Sequence, residues 1–164
     1  MNIYSIGHSN HKAEFFISLL KTHRVDLVID VRSRPYSRYN PQFNQKTLRE
    51  SLWREAIEYE FLGDSLGGLR SEDECDEKGY PIPEFVYQTP TWNNGINSLL
   101  SLAENHVCAV MCSEHNFKQC HRHTLIEPSL RRKGLEMIHI RKDGTLSRQK
   151  NFVFHQKNFA SSLS

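Results

Sequence analysis

Residues 112–123 read CSEHNFKQCHRH, a stretch with two thiols, three imidazoles, one carboxylate and one guanidinium. It directly follows the apolar run 107–111, so a short buried strand would deliver these groups to an open sheet edge. Cys120, beside His121 and Arg122 near an expected helix start, has surroundings that favour a thiolate: backbone N–H groups, a helix dipole and cations. It is the first candidate nucleophile. The competing account is a small residue packing the helix start, since burial is the commonest fate of cysteine. Arg122 suits a bidentate clamp on phosphate or carboxylate, or else a structural pair with Asp30 or Glu114. His121 has the titration range of a general acid or base. Alternation points Cys112 and Glu114 to one side of the strand end, with Ser113 opposite. Glu114 there either acts as a base or holds Arg122. Cys112 is the second nucleophile candidate, or a packing residue. Cys112, His115, Cys120 and His121 or His123 also offer metal-ligand chemistry. Their spacing is not the paired C-x-x-C or H-x-x-x-H of common zinc sites, so no cofactor is predicted, and zinc or iron stands as an alternative.

Other segments offer complementary chemistry. Asp30-Val31-Arg32 ends the apolar run 25–31, and alternation sends Asp30 and Arg32 to one side. They form a salt bridge or jointly line a site, and Asp30 is a further acid–base candidate. Arg32, Arg34 and Arg38 interleave with Tyr36, Tyr39 and Phe43, the mixture of charge and stacking surface that recognition of phosphate plus base requires. A solvated loop stiffened by Pro35 and Pro41 is the plainer account. Gly7, His8, Ser9 and Asn10 make a strand-to-helix turn with too few glycines for a dinucleotide fingerprint. Gly7, His8 and Ser9 are candidates to meet a ligand, while Ser9 and Asn10 also suit a helix cap. Gly67 and Gly68 either let backbone approach a ligand or permit a turn.

The elements that must position these residues follow from periodicity. Apolar runs at 3–6, 25–31, 57–62, 107–111 and 135–140 read as strands. Helical spacing joins Phe15, Phe16, Leu19 and Leu20, with Asn10 as N-cap; then Leu48, Leu52 and Ala56; then Trp92, Ile96, Leu99, Leu100 and Ala103. A last helix from about Lys118 turns Leu125, Ile126 and Leu130 inward, is interrupted by Pro128 and ends at Gly134. The alternation predicts a single Rossmann-like α/β domain over 1–164, three layers with a mainly parallel sheet of about five strands. A long irregular segment spans 63–90, and a weakly structured tail begins near 143 with a turn and a faintly apolar stretch around 152–154. Ligands of such sheets bind beyond the carboxyl ends of the strands, which gathers 7–10, 30–39, 63–68 and 112–123 at one edge.

Bulk properties exclude several classes. A chain of 164 residues, 38% hydrophobic and 24% charged, suits a globular domain. The net charge of +2 assigns any nucleic-acid role to local patches, not the global field. No apolar run approaches the roughly 20 residues of a membrane span, and the start MNIYSIGHSN lacks a signal peptide's pattern. A cytoplasmic location and no membrane partner are expected. The four cysteines, Cys75, Cys108, Cys112 and Cys120, are then thiols rather than disulfides.

SIGHSN, DVRSRPYSRYNPQFN, YEFLGDSLGG and MCSEHNFKQCHR, in this order and spacing, resemble the bacterial and archaeal family called domain of unknown function 488. The likeness runs from about Ile3 to Ile140. The family's pattern after the fourth strand is usually cysteine, alanine, glutamate, then a proline, then Cys-His-Arg. Here Ser113 replaces the alanine and Phe117 stands near the usual proline, while Cys112, Glu114, Cys120, His121 and Arg122 fit. The resemblance implies an α/β fold and a common site, and no settled reaction. Together with the residues it leads to an expected small enzyme acting on a phosphate-bearing ligand, a nucleotide or nucleic acid. Arg32, Arg34 and Arg122 would bind anionic groups, Tyr36 would stack, and Glu114, His121 and Asp30 would move protons around Cys120 or Cys112. The alternatives are a non-catalytic nucleic-acid-binding module and a metal- or thiol-based sensor.

Overall fold

The protein is described here by a computed structural model covering residues 3–148. The expected apolar runs form strands: β1 (Ile3–Gly7), β2 (Leu27–Asp30), β3 (Glu58–Phe61), β4 (Cys108–Cys112) and β5 (Met137–Ile140). They pair in parallel in the order β3-β2-β4-β1-β5. A sixth strand, β6 (Leu146–Ser147), adds antiparallel to β5 after a turn at Asp143 and Gly144. The tail's first residues are therefore part of the sheet, and the apolar stretch 152–154 lies outside the described residues.

Six α-helices occur among the described residues: α1 (Ala13–Thr22), α2 (Gln45–Trp53), α3 (Gly63–Leu66), α4 (Pro83–Val86), α5 (Pro90–Asn105) and α6 (Glu127–Arg131). α1 and α2 bury Phe16, Leu20, Leu48 and Leu52 against Ile6, Val28, Ala109 and Met111 of the sheet. α5 and α6 bury Trp92, Ile96, Leu99 and Leu130 against Ile3, Leu27, Ile29, Cys108 and Val110 on the opposite face. Strand alternation, one residue up and the next down, divides β4 between the two cores. The result is a three-layer α/β domain. The segment between β3 and α5 holds α3, α4, a short 3-10 turn and a bridge between Cys75 and Pro81.

Three local expectations are corrected. Asn10 does not cap α1; the N-cap is Lys12, without a side-chain hydrogen bond. Ser9 takes a left-handed backbone (φ 49°) and donates its N–H to the Ser113 carbonyl, which ties this turn to β4 and delays the helix. Ala56 lies beyond α2 with φ 57°, turning the chain toward β3. The helix expected from Lys118 is instead a 3-10 turn (Phe117–Gln119), a π turn (Arg122–Ile126) and then α6. Pro128 has no N–H to continue the α ladder, and the wider π turn, with Glu127 N–H donating to Arg122 O, carries the chain into α6.

This topology opens a crevice. β1 and β4 are adjacent and parallel, yet β1 leads into α1 on one face and β4 leads toward α6 on the other. Loops that diverge from neighbouring strand ends leave a gap at the carboxyl edge, the usual ligand position of open α/β sheets.

Candidate functional site

A cleft of about 630 Å³ occupies that position, lined by His8, Ser9, Arg32, Arg34, Tyr36, Gly68, Cys112, Glu114 and His121 among others. The loops after β1, β2, β3 and β4 all contribute to it, as alternation of strands and helices suggested. The volume falls within the usual range of ligand pockets, roughly 300–1,000 Å³.

The wall on the α1/α2 side is an ion-paired block. Arg32 donates Nε–H and Nη2–H to the Asp30 carboxylate, with Nη2–Oδ2 at 2.6 Å, and Tyr59 donates its hydroxyl to the same carboxylate at 2.7 Å. Asp30 is wholly buried and absent from the cleft lining, so it does not present a carboxylate to a ligand. Burial and the adjoining carboxylate push the Tyr59 phenol well above its ordinary range. His8 stacks on Phe43 at 4.4 Å. Its Nδ1–H donates to the Ser9 carbonyl, which leaves Nε2 to accept from Arg32 Nη1 at 3.2 Å. Burial holds His8 neutral, with its pKa lowered to about 4. Phe43 is fully buried and therefore supports His8 instead of stacking on a ligand.

The floor on the α5/α6 side is different in kind. His121 Nε2–H donates to the Val31 carbonyl at 3.1 Å. Because a carbonyl only accepts, that proton is fixed on Nε2 and Nδ1 is the bare nitrogen of the neutral ring. Nδ1 faces two sulfurs, Cys120 Sγ at 3.6 Å and Cys112 Sγ at 4.0 Å. Cys112 lines the cleft and Cys120 lies behind it. The Cys120 pKa is lowered to about 6, first by the hydrogen bond from the Cys112 thiol and then, against the opposing cost of burial, by Arg122. The Cys112 pKa is correspondingly raised to about 11, by sharing with Cys120 and by burial. Of the two sulfurs, the one that Arg122 touches is therefore the more acidic. Cys108 is core, its thiol pushed up to about 12 by burial. Cys75 is half-buried and does not line the cleft.

Arg122 does not line the cleft. It is 1% exposed, donating Nε–H to Cys120 Sγ at 3.2 Å, Nη1–H to Ser5 Oγ at 3.4 Å and Nη2–H to the Glu114 carbonyl. It braces the floor from below, which corrects the expectation of a phosphate clamp. A hydrogen-bonded chain continues from Ser5 to His139 Nδ1 (2.6 Å) and from His139 Nε2 to Glu127 (3.3 Å); Glu127 also contacts His123 and Arg131. Ser5, His139 and Glu127 escaped the motif reading. Ser5 and His139 were signalled as polar residues inside the apolar runs IYSIG and MIHI, where a buried polar group requires a partner; Glu127, at the start of α6, carried no such signal.

The remaining candidates sort by position. Glu114 lines the cleft, but its Oε1 accepts from the Asn116 N–H at 2.9 Å and lies 3.3 Å from His115 Nδ1, an arrangement that shapes the loop. Gly7 and Gly67 are not among the lining residues. A Cβ on Gly7 would lie 2.0 Å from the Glu114 carbonyl oxygen, so this glycine lets the loop after β4 close over β1. Gly68 does line the cleft, and a Cβ there would meet His121 Nδ1 at 3.0 Å. Arg34 is exposed on the rim and makes no ion pair with a described residue, and Tyr36 beside it is 73% exposed.

A family model described as domain of unknown function DUF488 matches residues 12–128. The turn at 7–10 lies outside the matched residues, although it forms part of the cleft. No curated protein and no solved structure matches the chain. No helix among the described residues is long and apolar enough to cross a membrane.

Proposed function

The chain belongs to the DUF488 family, and we propose that it is a small enzyme acting on a phosphate-bearing ligand, a nucleotide or the end of a nucleic-acid strand, held in this cleft. The observation that carries the reading is the joining of two unlike ends in one concavity. At the rim stand Arg34, a guanidinium with no ion pair among the described residues, and Tyr36, an open aromatic face. At the floor stand Cys112 and His121, whose bare Nδ1 faces the sulfurs. Guanidinium and phenol suit phosphate and base. Sulfur, imidazole and an orienting carbonyl form the usual triad of a reactive site. Arg32, ion-paired with Asp30, gives the cleft a fixed wall. The chemistry that fits is hydrolysis or group transfer at the ligand atom nearest Cys112 and His121.

The test is a thermal-shift screen of nucleotides and nucleosides, followed by titration calorimetry. A ligand at a hundred times its dissociation constant should stabilise the protein by about 2.7 kcal/mol. Arg34→Ala should weaken that ligand about tenfold or more while leaving the melting temperature of the free protein in place. A screen without any response, or a responding ligand indifferent to Arg34, overturns the reading. A second reading, a binding module without catalysis, is favoured by the exposure of Tyr36, Arg38 and Tyr39 along one loop. It requires oligonucleotide affinity that falls steeply with salt and depends on Arg38, together with unchanged binding when Cys112 is replaced by serine.

A further inference from the structure

We propose that Cys112, Cys120 and His121 form a three-ligand zinc site at the floor of the cleft, with the fourth coordination position open to the bound molecule. The inference rests on the reading that a ligand occupies this cleft, and it names the ion that would meet it. The sequence spacing argued against such a site; the folded chain reverses that argument. Cys120 returns against Cys112 through the turn at Phe117–Gln119, and Cys112 Sγ, Cys120 Sγ and a His121 ring nitrogen all lie within 4.8 Å of one another.

The geometry is close to what zinc requires. Zinc–sulfur bonds of about 2.3 Å and a zinc–nitrogen bond of about 2.0 Å at tetrahedral angles place sulfur and nitrogen about 3.6 Å apart, and two sulfurs about 3.8 Å apart. The observed nitrogen–sulfur separations are 3.6 and 4.0 Å. Closing the remainder takes side-chain shifts of about 1 Å or less. The surroundings agree. A zinc-ligating imidazole characteristically donates its other N–H to a carbonyl or carboxylate, and His121 Nε2–H donates to Val31 O, aiming Nδ1 at the sulfurs. Arg122 donates to Cys120 Sγ from the buried side, offsetting the negative charge of two thiolates. Cys112 and His121 line the cleft whereas Cys120 lies behind, so an ion held by the three faces the ligand. Three protein ligands with one open position mark a catalytic zinc, not a structural one. A water on that position would be the reacting group, and Cys112 would be a ligand instead of the attacking atom. Soft thiolates favour zinc over magnesium or calcium. His123, Glu127 and His139 also cluster within 4.8 Å. There, however, both Glu127 oxygens are engaged by His123, His139 and Arg131, and Phe117 stacks on His139 at 3.7 Å. That cluster provides an internal control.

The experiment is titration of the metal-free full chain with cobalt(II) as an optical probe, then with zinc against a chromophoric chelator. The expected result is one equivalent of cobalt with the intense visible bands of a tetrahedral ion and a near-ultraviolet sulfur-to-cobalt charge-transfer band. Cys112→Ser and Cys120→Ser should each lower the charge-transfer intensity and weaken zinc by about a hundredfold. His123→Ala should leave both unchanged. Circular dichroism checks folding; if Cys120→Ser does not fold, the wild-type charge-transfer band and Cys112→Ser decide the matter. Absence of that band, unchanged zinc affinity in Cys112→Ser, or loss of zinc in His123→Ala overturns the site. The nucleotide screen is repeated on zinc-loaded and metal-free protein. Zinc binding with no ligand response supports this site and removes the phosphate-ligand reading; ligand response with no zinc binding does the reverse.

Discussion

The two sides of the sheet each bury an arginine at the cleft, one in its wall and one beneath its floor, and they satisfy it differently. On the α1/α2 side, Arg32 meets the Asp30 carboxylate, which also accepts from Tyr59. On the α5/α6 side, Arg122 meets a sulfur, a hydroxyl and a carbonyl, with no carboxylate at ion-pair distance among the described residues. Buried arginines are rarely left without a counter-charge. Beside Arg32 the counter-charge is permanent, so the wall is fixed. Beside Arg122 the contacting group that can carry one is the Cys120 thiol, whose acidity depends on its neighbours. The comparison teaches that the ion-paired wall is built for position, and that the sulfur floor keeps charge available for chemistry.

Breaking the fixed wall should have the largest effect. Asp30→Asn leaves Arg32 buried without its counter-charge, a change that typically costs about 3–5 kcal/mol. For a chain of this size that amounts to about 10 °C of melting temperature, measurable by circular dichroism. A loss under about 1 kcal/mol would show that water or another group neutralises Arg32, and the contrast between the two sides would fail.

Acid should loosen the same wall by a smaller amount. The His8 pKa falls from 6.5 to about 4 in the folded chain, chiefly through burial. The unfolded chain therefore takes up this proton first, so the contribution is complete above pH 6.5 and is lost as pH falls toward 4. Its size is about 3 kcal/mol at most. Urea melts across that range should show the slope, and His8→Asn should flatten it. An unchanged slope in the variant would assign the acid sensitivity elsewhere.

The smallest perturbation addresses the floor. In Gly68→Ala the new Cβ meets the His121 ring at 3.0–3.1 Å, and an imidazole at the cleft edge can give by a few tenths of an ångström. The melting temperature should move by less than about 4 °C, equivalent to about 1 kcal/mol. The reaction rate of the Cys112–Cys120 pair with a disulfide reagent should nonetheless change, because Nδ1 moves relative to both sulfurs. A large stability loss with unaltered thiol kinetics would make Gly68 a packing residue and separate it from the site.

Much of this organisation is legible in the sequence for definite reasons. Buried parallel strands are continuous apolar runs, so 25–31 and 107–111 announced β2 and β4, and their ends announced the loops that line the cleft. Asp30 and Arg32 stand two apart at a strand end, and period-two alternation makes their salt bridge one of two predictable outcomes. Ser5 and His139 also left a trace as polar residues in apolar strands. The trace had no address, because they belong to different strands whose adjacency only the sheet order supplies. The breakdown of the helix expected from Lys118 into 3-10, π and α turns was less visible: Pro128 marks an interruption, but the backbone's route around it depends on packing at Leu125 and Ile126.

Local periodicity by itself thus determined the α/β class, the strand-end location of the reactive residues and the presence of two thiols and an imidazole at one edge. Tertiary structure decided which of those groups meet. Arg122 and Asp30, both candidates to touch a ligand, turn away into buried networks, because each is satisfied by a neighbour two residues away together with a partner distant in sequence, Ser5 for Arg122 and Tyr59 for Asp30. Conversely, Cys112 and Cys120, whose spacing argues against a shared ligand, come together against one ring nitrogen. The physical reason is that a loop's end-to-end distance is not set by its residue types. It is set by the strands and turns to which the loop is anchored, and here the anchors are β4, the Val31 carbonyl and a buried arginine.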